Sequence, residues 1–119
     1  MAVSNAKRGA LIKARTRRWL AAHGWQVAEM EIIRWVWTPK GRLPIKRDQW
    51  GADLIAVSAT RLALIQVKGG AQTEGQGQFL AAQREFNKFT FPSFVERWIV
   101  CWAPRARLPR VIELRRSRP

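Results

Sequence analysis

The sequence is poor in cysteine, histidine and acid. Its one cysteine, Cys101, has no partner for an internal disulfide. With a single histidine, His23, the chain has no Cys/His set of the kind that holds zinc. Both scarcities point to an intracellular, cytoplasmic protein. No apolar run approaches the roughly 20 residues that a membrane helix needs, so no membrane partner is expected. Residues 1–7 lack the apolar centre of a secretory signal.

Acid is the most telling shortage. Eight Asp and Glu face 22 Lys and Arg, for a formal charge of +14 and a pI near 11.8. Such an excess repels itself when the chain compacts, and a polyanion relieves the repulsion. Nucleic acid is therefore the expected partner. A solvated basic surface, a small ribosome-associated protein and an anionic membrane surface are the plainer alternatives. A hydrophobic fraction of 47% with seven Trp argues against disorder. At 119 residues the chain has room for one modest core, hence one domain over 1–119 with a basic tail at about 115–119.

Residues 5–23 read as a helix, with Ser4 or Asn5 as its cap and Gly24 as its stop. Ile12, Thr16, Trp19 and Leu20 share one face, and Lys7, Arg17 and Arg18 the other. Residues 25–37 read as one long strand or two segments with a bend, followed by a turn at residues 38–41. Residues 40–47 are basic, contain Pro44, and read as an exposed loop or hairpin tip. Strands at 52–58 and 61–68 are separated by Ala59 and Thr60 alone, which predicts an antiparallel hairpin. Residues 69–77, with four glycines, read as a flexible loop. Residues 78–89 form a second helix with a Phe79, Ala82, Phe86, Phe89 core stripe. Strands follow at 97–103 and 111–114. The whole is an α/β domain in the order α-β-β-β-α-β-β, with a mixed sheet flanked by helices.

Chemistry is expected at the hairpin. A two-residue loop pairs Ser58 with Arg61 and, counting inward, Asp53 with Gln66. Lys68 lies two residues further on, so the count puts all three on one face. Mg²⁺ or Mn²⁺ takes hard oxygen ligands: Asp53, the Gln66 amide oxygen and the Val67 backbone carbonyl. Lys68 would orient a water or offset charge on a phosphate. The plainer alternative is an Asp53–Lys68 ion pair with Gln66 an exposed edge residue. Lys7, Arg8, Lys13, Arg17, Lys40, Arg42, Lys46 and Arg47 are the candidate nucleic-acid contacts. Trp37 and Trp50 are read as core or interface residues, with base stacking the alternative. His23 is read as a capping or packing residue, and Cys101 as a buried small hydrophobe.

Asp53 with Gln66-Val67-Lys68 resembles the signature of the PD-(D/E)XK nuclease superfamily. The runs KRGALIKARTRRWLAAHGWQV (7–27) and GADLIAVSATRLALIQVK (51–68) are most similar to archaeal-type Holliday-junction resolvases. The resemblance implies a restriction-endonuclease-like fold and a Mg²⁺-dependent DNA endonuclease acting on branched DNA. It also implies a homodimer and a place in DNA recombination and repair. This chain departs from the pattern twice. Lys13 stands where the resolvases carry a helix Glu, and Gln66 stands where they carry Glu. Asp48 is the first candidate for a replacement acid, ahead of Glu31 and Glu29. The alternatives are a DNA-binding member of the same fold that cleaves weakly or not at all, and a nuclease acting on linear or single-stranded DNA.

Overall fold

The computed structural model describes residues 5–69 and 77–114. Among these residues the order of elements is α1 (Asn5–Ala22), β1 (Gln26–Glu29), β2 (Glu31–Thr38), β3 (Gly41–Asp48), β4 (Leu54–Val57), β5 (Leu62–Gly69), α2 (Gly77–Asn87), β6 (Val95–Trp102) and β7 (Arg110–Glu113). Five strands form a mixed sheet in the order β1-β4-β5-β6-β7, and β2 and β3 form a two-stranded sheet of their own. The fold is mixed α/β, as the sequence predicts, but the order of elements is not the predicted one. Residues 25–37 split at Met30, and the segment expected as an exposed loop or hairpin tip at 40–47 is a hairpin strand, Gly41–Asp48. The cause is local pairing. Thr38 turns the chain, its hydroxyl donating to the Gly41 carbonyl at 2.8 Å and accepting from the Lys40 amide at 3.2 Å. The residues after the turn then pair with β2 from Thr38↔Gly41 to Glu31↔Asp48.

The central strands are covered on both faces. Strand β5 runs antiparallel to β4 and parallel to β6, and a parallel step needs a crossover, which α2 supplies. All eight residues of β6 are buried. Leu20 of α1 packs with Leu54, Ala56, Ala63, Ile65, Val67, Val100 and Trp102 on one face, and Ile12 and Trp19 close that cluster. Phe79, Ala82 and Phe86 of α2 pack with Leu64, Ile99, Cys101 and Ile112 on the other. The helical faces anticipated from spacing are therefore the buried ones, except that Phe89 is 39% exposed. Burial pushes the Cys101 thiol pKa up, against the opposing fields of Arg110 and Lys68.

Two turns set the geometry around the site. Gly24 has φ +87°, a left-handed conformation that suits glycine, and α1 stops there with the Gly24 amide donating to Ala21 at 3.1 Å. Trp50 and Gly51 are both left-handed, with φ 52° and 73°, and the Ala52 amide closes the turn onto Gln49 at 2.9 Å. A Cβ at Gly51 would meet the Glu85 and Phe86 backbone at 3.1 Å, so α2 and this turn touch backbone to backbone. Among the described residues no helix is long and apolar enough to cross a membrane.

Phe86 is fully buried and Phe89 is not. Phe86→Ala is expected to cost about 3–5 kcal/mol of unfolding free energy, and Phe89→Ala much less, both read by urea denaturation. Equal losses would show that the exposed end of the stripe is as well packed as the buried one.

Candidate active site

The β4–β5 pairing runs from Val57↔Leu62 to Leu54↔Ile65, and the Ser58 amide donates to the Arg61 carbonyl at 2.9 Å. That is the register counted from the sequence. It breaks one residue before Asp53 would meet Gln66. The Asp53 amide donates instead to the Ile65 carbonyl at 2.8 Å, although Ile65 already faces Leu54. Two residues against one is a β-bulge. The Asp53 side chain completes the interrupted ladder, its Oδ2 accepting from the Val67 amide at 2.8 Å. In an antiparallel ladder the amide and carbonyl of one residue point to the same neighbour. The Val67 carbonyl therefore lies along the edge where Asp53 sits.

Helix α1 brings a cation to this edge. The Lys13 Nζ lies 2.7 Å from Glu31 Oε1 and 3.8 Å from Asp53 Oδ1. One turn further, Arg17 lies 3.7 Å from Glu29. Positions four apart on a helix share a face, as do positions two apart on an extended chain. Lys13 and Arg17 thus meet Glu31 and Glu29 in parallel. Asp53 is 7% exposed and Lys13's side chain 20%, so this is a partly desolvated cluster rather than a surface pair. It adjoins a cleft of about 660 Å³ between α1 and the start of β2, lined in part by Gly9, Arg18, Glu29 and Glu31.

Gln66 and Lys68 go the other way. In the parallel pair Gln66 faces Ile99 and Lys68 faces Cys101, and both partners belong to the α2-side cluster. Lys68 is near enough to Cys101 to act on its thiol. Asp53 reaches Lys13 on the α1 side. The expected convergence of Asp53, Gln66 and Lys68 on one face is therefore not what the structure has, and the bulge is the reason. The three lie at the same end of β5, on either side of its edge. Gln66 is 4% exposed, and among the described residues its side chain makes no hydrogen bond. Lys68 is half-buried and makes no ion pair among them.

The remaining candidates separate by environment. Lys7 and Arg8 are exposed on the first turns of α1. Lys13 and Arg17 are engaged with acids. Lys40 is exposed at the turn, and Arg42 stacks its guanidinium 5.0 Å from the Trp35 ring. The side chains of Lys46, Arg47 and Asp48 lie outside the described residues, as do residues 70–76, which include most of the predicted glycine loop. The backbone of Asp48 is the register partner of Glu31. Glu31 is the residue that the sequence undervalued. Its alternation with Glu29, matched to Lys13 and Arg17, was the available signal. His23 caps and packs: its Nδ1 lies 2.7 Å from the Trp19 carbonyl and its ring 5.1 Å from the indole.

No protein-family model, curated protein or solved structure matches the chain. The site must therefore be judged on its own donors. Asp53 and Glu31 reach a single cationic atom, the Lys13 Nζ, which partly neutralises both carboxylates. Two carboxylates beside a backbone carbonyl are hard oxygen donors of the kind that Mg²⁺ prefers. Asp53 and Glu31 are the oxygen donors that a divalent ion would meet here, and it would have to displace the Lys13 ammonium to reach both. Gln66, on the other face, does not join them.

Lys13→Gln removes the ammonium that two partly buried carboxylates share. The expected loss lies between the ~1 kcal/mol of an exposed pair and the ~3–5 kcal/mol of a buried one, with Lys13→Arg close to wild type. Thermal unfolding in EDTA reads it. An unchanged midpoint in Lys13→Gln would show that the cluster holds without its cation.

Proposed function

We propose that this chain is a metal-dependent nucleic-acid nuclease, cutting phosphodiester bonds at the Asp53 edge of the sheet. The observation that carries the reading is the shared cation. Acids from two separate parts of the chain, Asp53 and Glu31, converge on Lys13 Nζ at a sheet end, beside a cleft and within a chain of net charge +14. Asp53 and Glu31 would hold Mg²⁺ or Mn²⁺, with the Val67 carbonyl beside them. Held there, such an ion would supply Lewis-acid polarisation of a phosphate and a lowered pKa for a bound water.

The chain's own groups do the rest. Lys13 gives up one carboxylate contact, and its charge becomes available to a phosphate oxygen. Lys68, which faces the α2 side at the same end of β5, takes no part at the Asp53 edge. Lys7 and Arg8, exposed at the start of α1, seat flanking phosphates without reading sequence. DNA, and branched DNA in particular, is the substrate that the resemblance to Holliday-junction resolvases implies, and a homodimer the assembly.

One observation favours a second reading, in which the domain binds DNA and does not cleave it. Lys13 already neutralises Asp53, and Gln66 and Lys68 face the other side. One comparison separates the two readings. The chain is incubated with four-way junction, linear duplex and single-stranded DNA, in Mg²⁺, Mn²⁺ or EDTA. Cleavage is expected with metal only, falling about a hundredfold or more in Asp53→Asn, and falling also in Glu31→Gln. Cleavage that persists in EDTA or in Asp53→Asn would refute the mechanism. Tight binding with no cleavage in either metal would establish the second reading.

A further inference from the structure

The β2–β3 pair has no sheet to join. It forms a separate two-stranded ribbon whose strands pack chiefly on each other. A lone two-stranded hairpin is marginal in water, yet this one leaves large apolar side chains uncovered. Trp37 is 79% exposed, Trp35 57% and Ile33 55%. Strand alternation and the register put these three on one face, opposite Arg42, Pro44 and Lys46 in turn. Ile32, Val36, Leu43 and Ile45 fall on the other face.

The charge of the ribbon is one-sided along its length. Residues 32–47 hold five basic residues, Arg34, Lys40, Arg42, Lys46 and Arg47, and no acid. Its two acids, Glu31 and Asp48, are register partners at the foot of the ribbon, where Glu31 belongs to the Lys13–Asp53 cluster. The arm therefore starts at the candidate active site and becomes purely cationic away from it. Exposed indoles interleaved with cations make a surface for bases and phosphates together. Aromatic rings stack on bases whatever their sequence, and cations track the backbone. A two-stranded β-ribbon also has the width that the major groove of duplex DNA admits.

We infer that the β2–β3 ribbon is a nucleic-acid-binding arm, with Trp37 its base-stacking residue and Lys40 and Arg42 its phosphate contacts. The inference rests on the nucleic-acid part of the function proposed above, and not on cleavage. A second copy of the chain is the less suitable occupant. Two such arms would bring ten basic residues together with no acid between them. The apolar side chains are divided between two faces, Ile33, Trp35 and Trp37 on one and Ile32, Val36, Leu43 and Ile45 on the other, so neither face is a continuous apolar patch of the whole ribbon. Pro44, within β3, further blunts the ribbon against pairing with another strand.

The test uses the full chain and fluorescence anisotropy with labelled four-way junction, linear duplex and single-stranded DNA. Trp37→Ala is expected to weaken binding by about fivefold or more. Lys40→Ala with Arg42→Ala is expected to lower the slope of log affinity against log salt by about two. Lys88→Ala, whose lysine pairs with Glu85 on α2, serves as the control and should change affinity little. Circular dichroism confirms that each variant folds. Affinity within about twofold of wild type in both arm variants overturns the inference, as does a wild-type chain that binds none of the three DNAs. A dimer that dissociates on Trp37→Ala in sedimentation, with DNA affinity unchanged, gives the arm to a second copy and overturns it too. Failure of cleavage is read separately. If Trp37→Ala weakens binding while the wild type cuts nothing, the arm stands and the nuclease falls. If Asp53→Asn abolishes cutting while Trp37→Ala binds normally, the nuclease stands and the arm falls.

Discussion

The bond from the Val67 amide to the Asp53 carboxylate governs the architecture around the site. Strand β4 stops pairing regularly with β5 at this point, and a backbone donor in the interior would lose its partner. Asp53 supplies that partner from its side chain. The bulge that makes this possible turns the carboxylate toward α1 and frees the preceding chain to leave the sheet. The same residue anchors the departing strand, since the Asp53 carbonyl accepts from the Met30 amide at 2.9 Å. One aspartate therefore ends a ladder, starts an arm and presents its remaining oxygen to Lys13.

Charge economy explains where the few acids lie. Four of the eight, Glu29, Glu31, Asp48 and Asp53, fall within residues 29–53, where the arm meets the body. Glu96 is fully buried in β6 and is met by the Arg61 guanidinium, whose Nε lies 2.8 Å from it. That contact raises the pKa of Arg61, and the guanidinium also stacks on Trp25 and Trp98. The acids thus hold Lys13, Arg17 and Arg61 in place, and most of the 22 basic residues have no acid to match them. Such an excess carries a positive field that attracts anions.

Much of the fold was legible because its signals are local. Ile12, Thr16, Trp19 and Leu20 mark the inward face of α1, and Phe79, Ala82 and Phe86 that of α2, through 3.6-residue periodicity alone. The two-residue loop at Ala59-Thr60 fixed the hairpin register as far as Leu54↔Ile65. Residues 40–47, read as an exposed loop or hairpin tip, do belong to a hairpin, but their strand was missed because basic residues and a proline resemble a loop. The strand there depends on its pairing with β2, and cross-strand partners are not written in a local window.

At the site, the residue types and their spacing were legible and their facing was not. Composition and spacing suffice for a basic α/β chain, two amphipathic helices, and an Asp53 set thirteen residues before Gln66 on adjoining strands. The assembled fold was needed to show that Asp53 faces Lys13 while Gln66 and Lys68 face α2, and that Glu31 rather than Gln66 is its companion. Strand alternation has a period of two, so one extra residue in a bulge reverses the face of the residues beyond it. Whether that residue is inserted depends on hydrogen bonds to Ile65, Val67 and Met30, which come together only when the sheet is assembled.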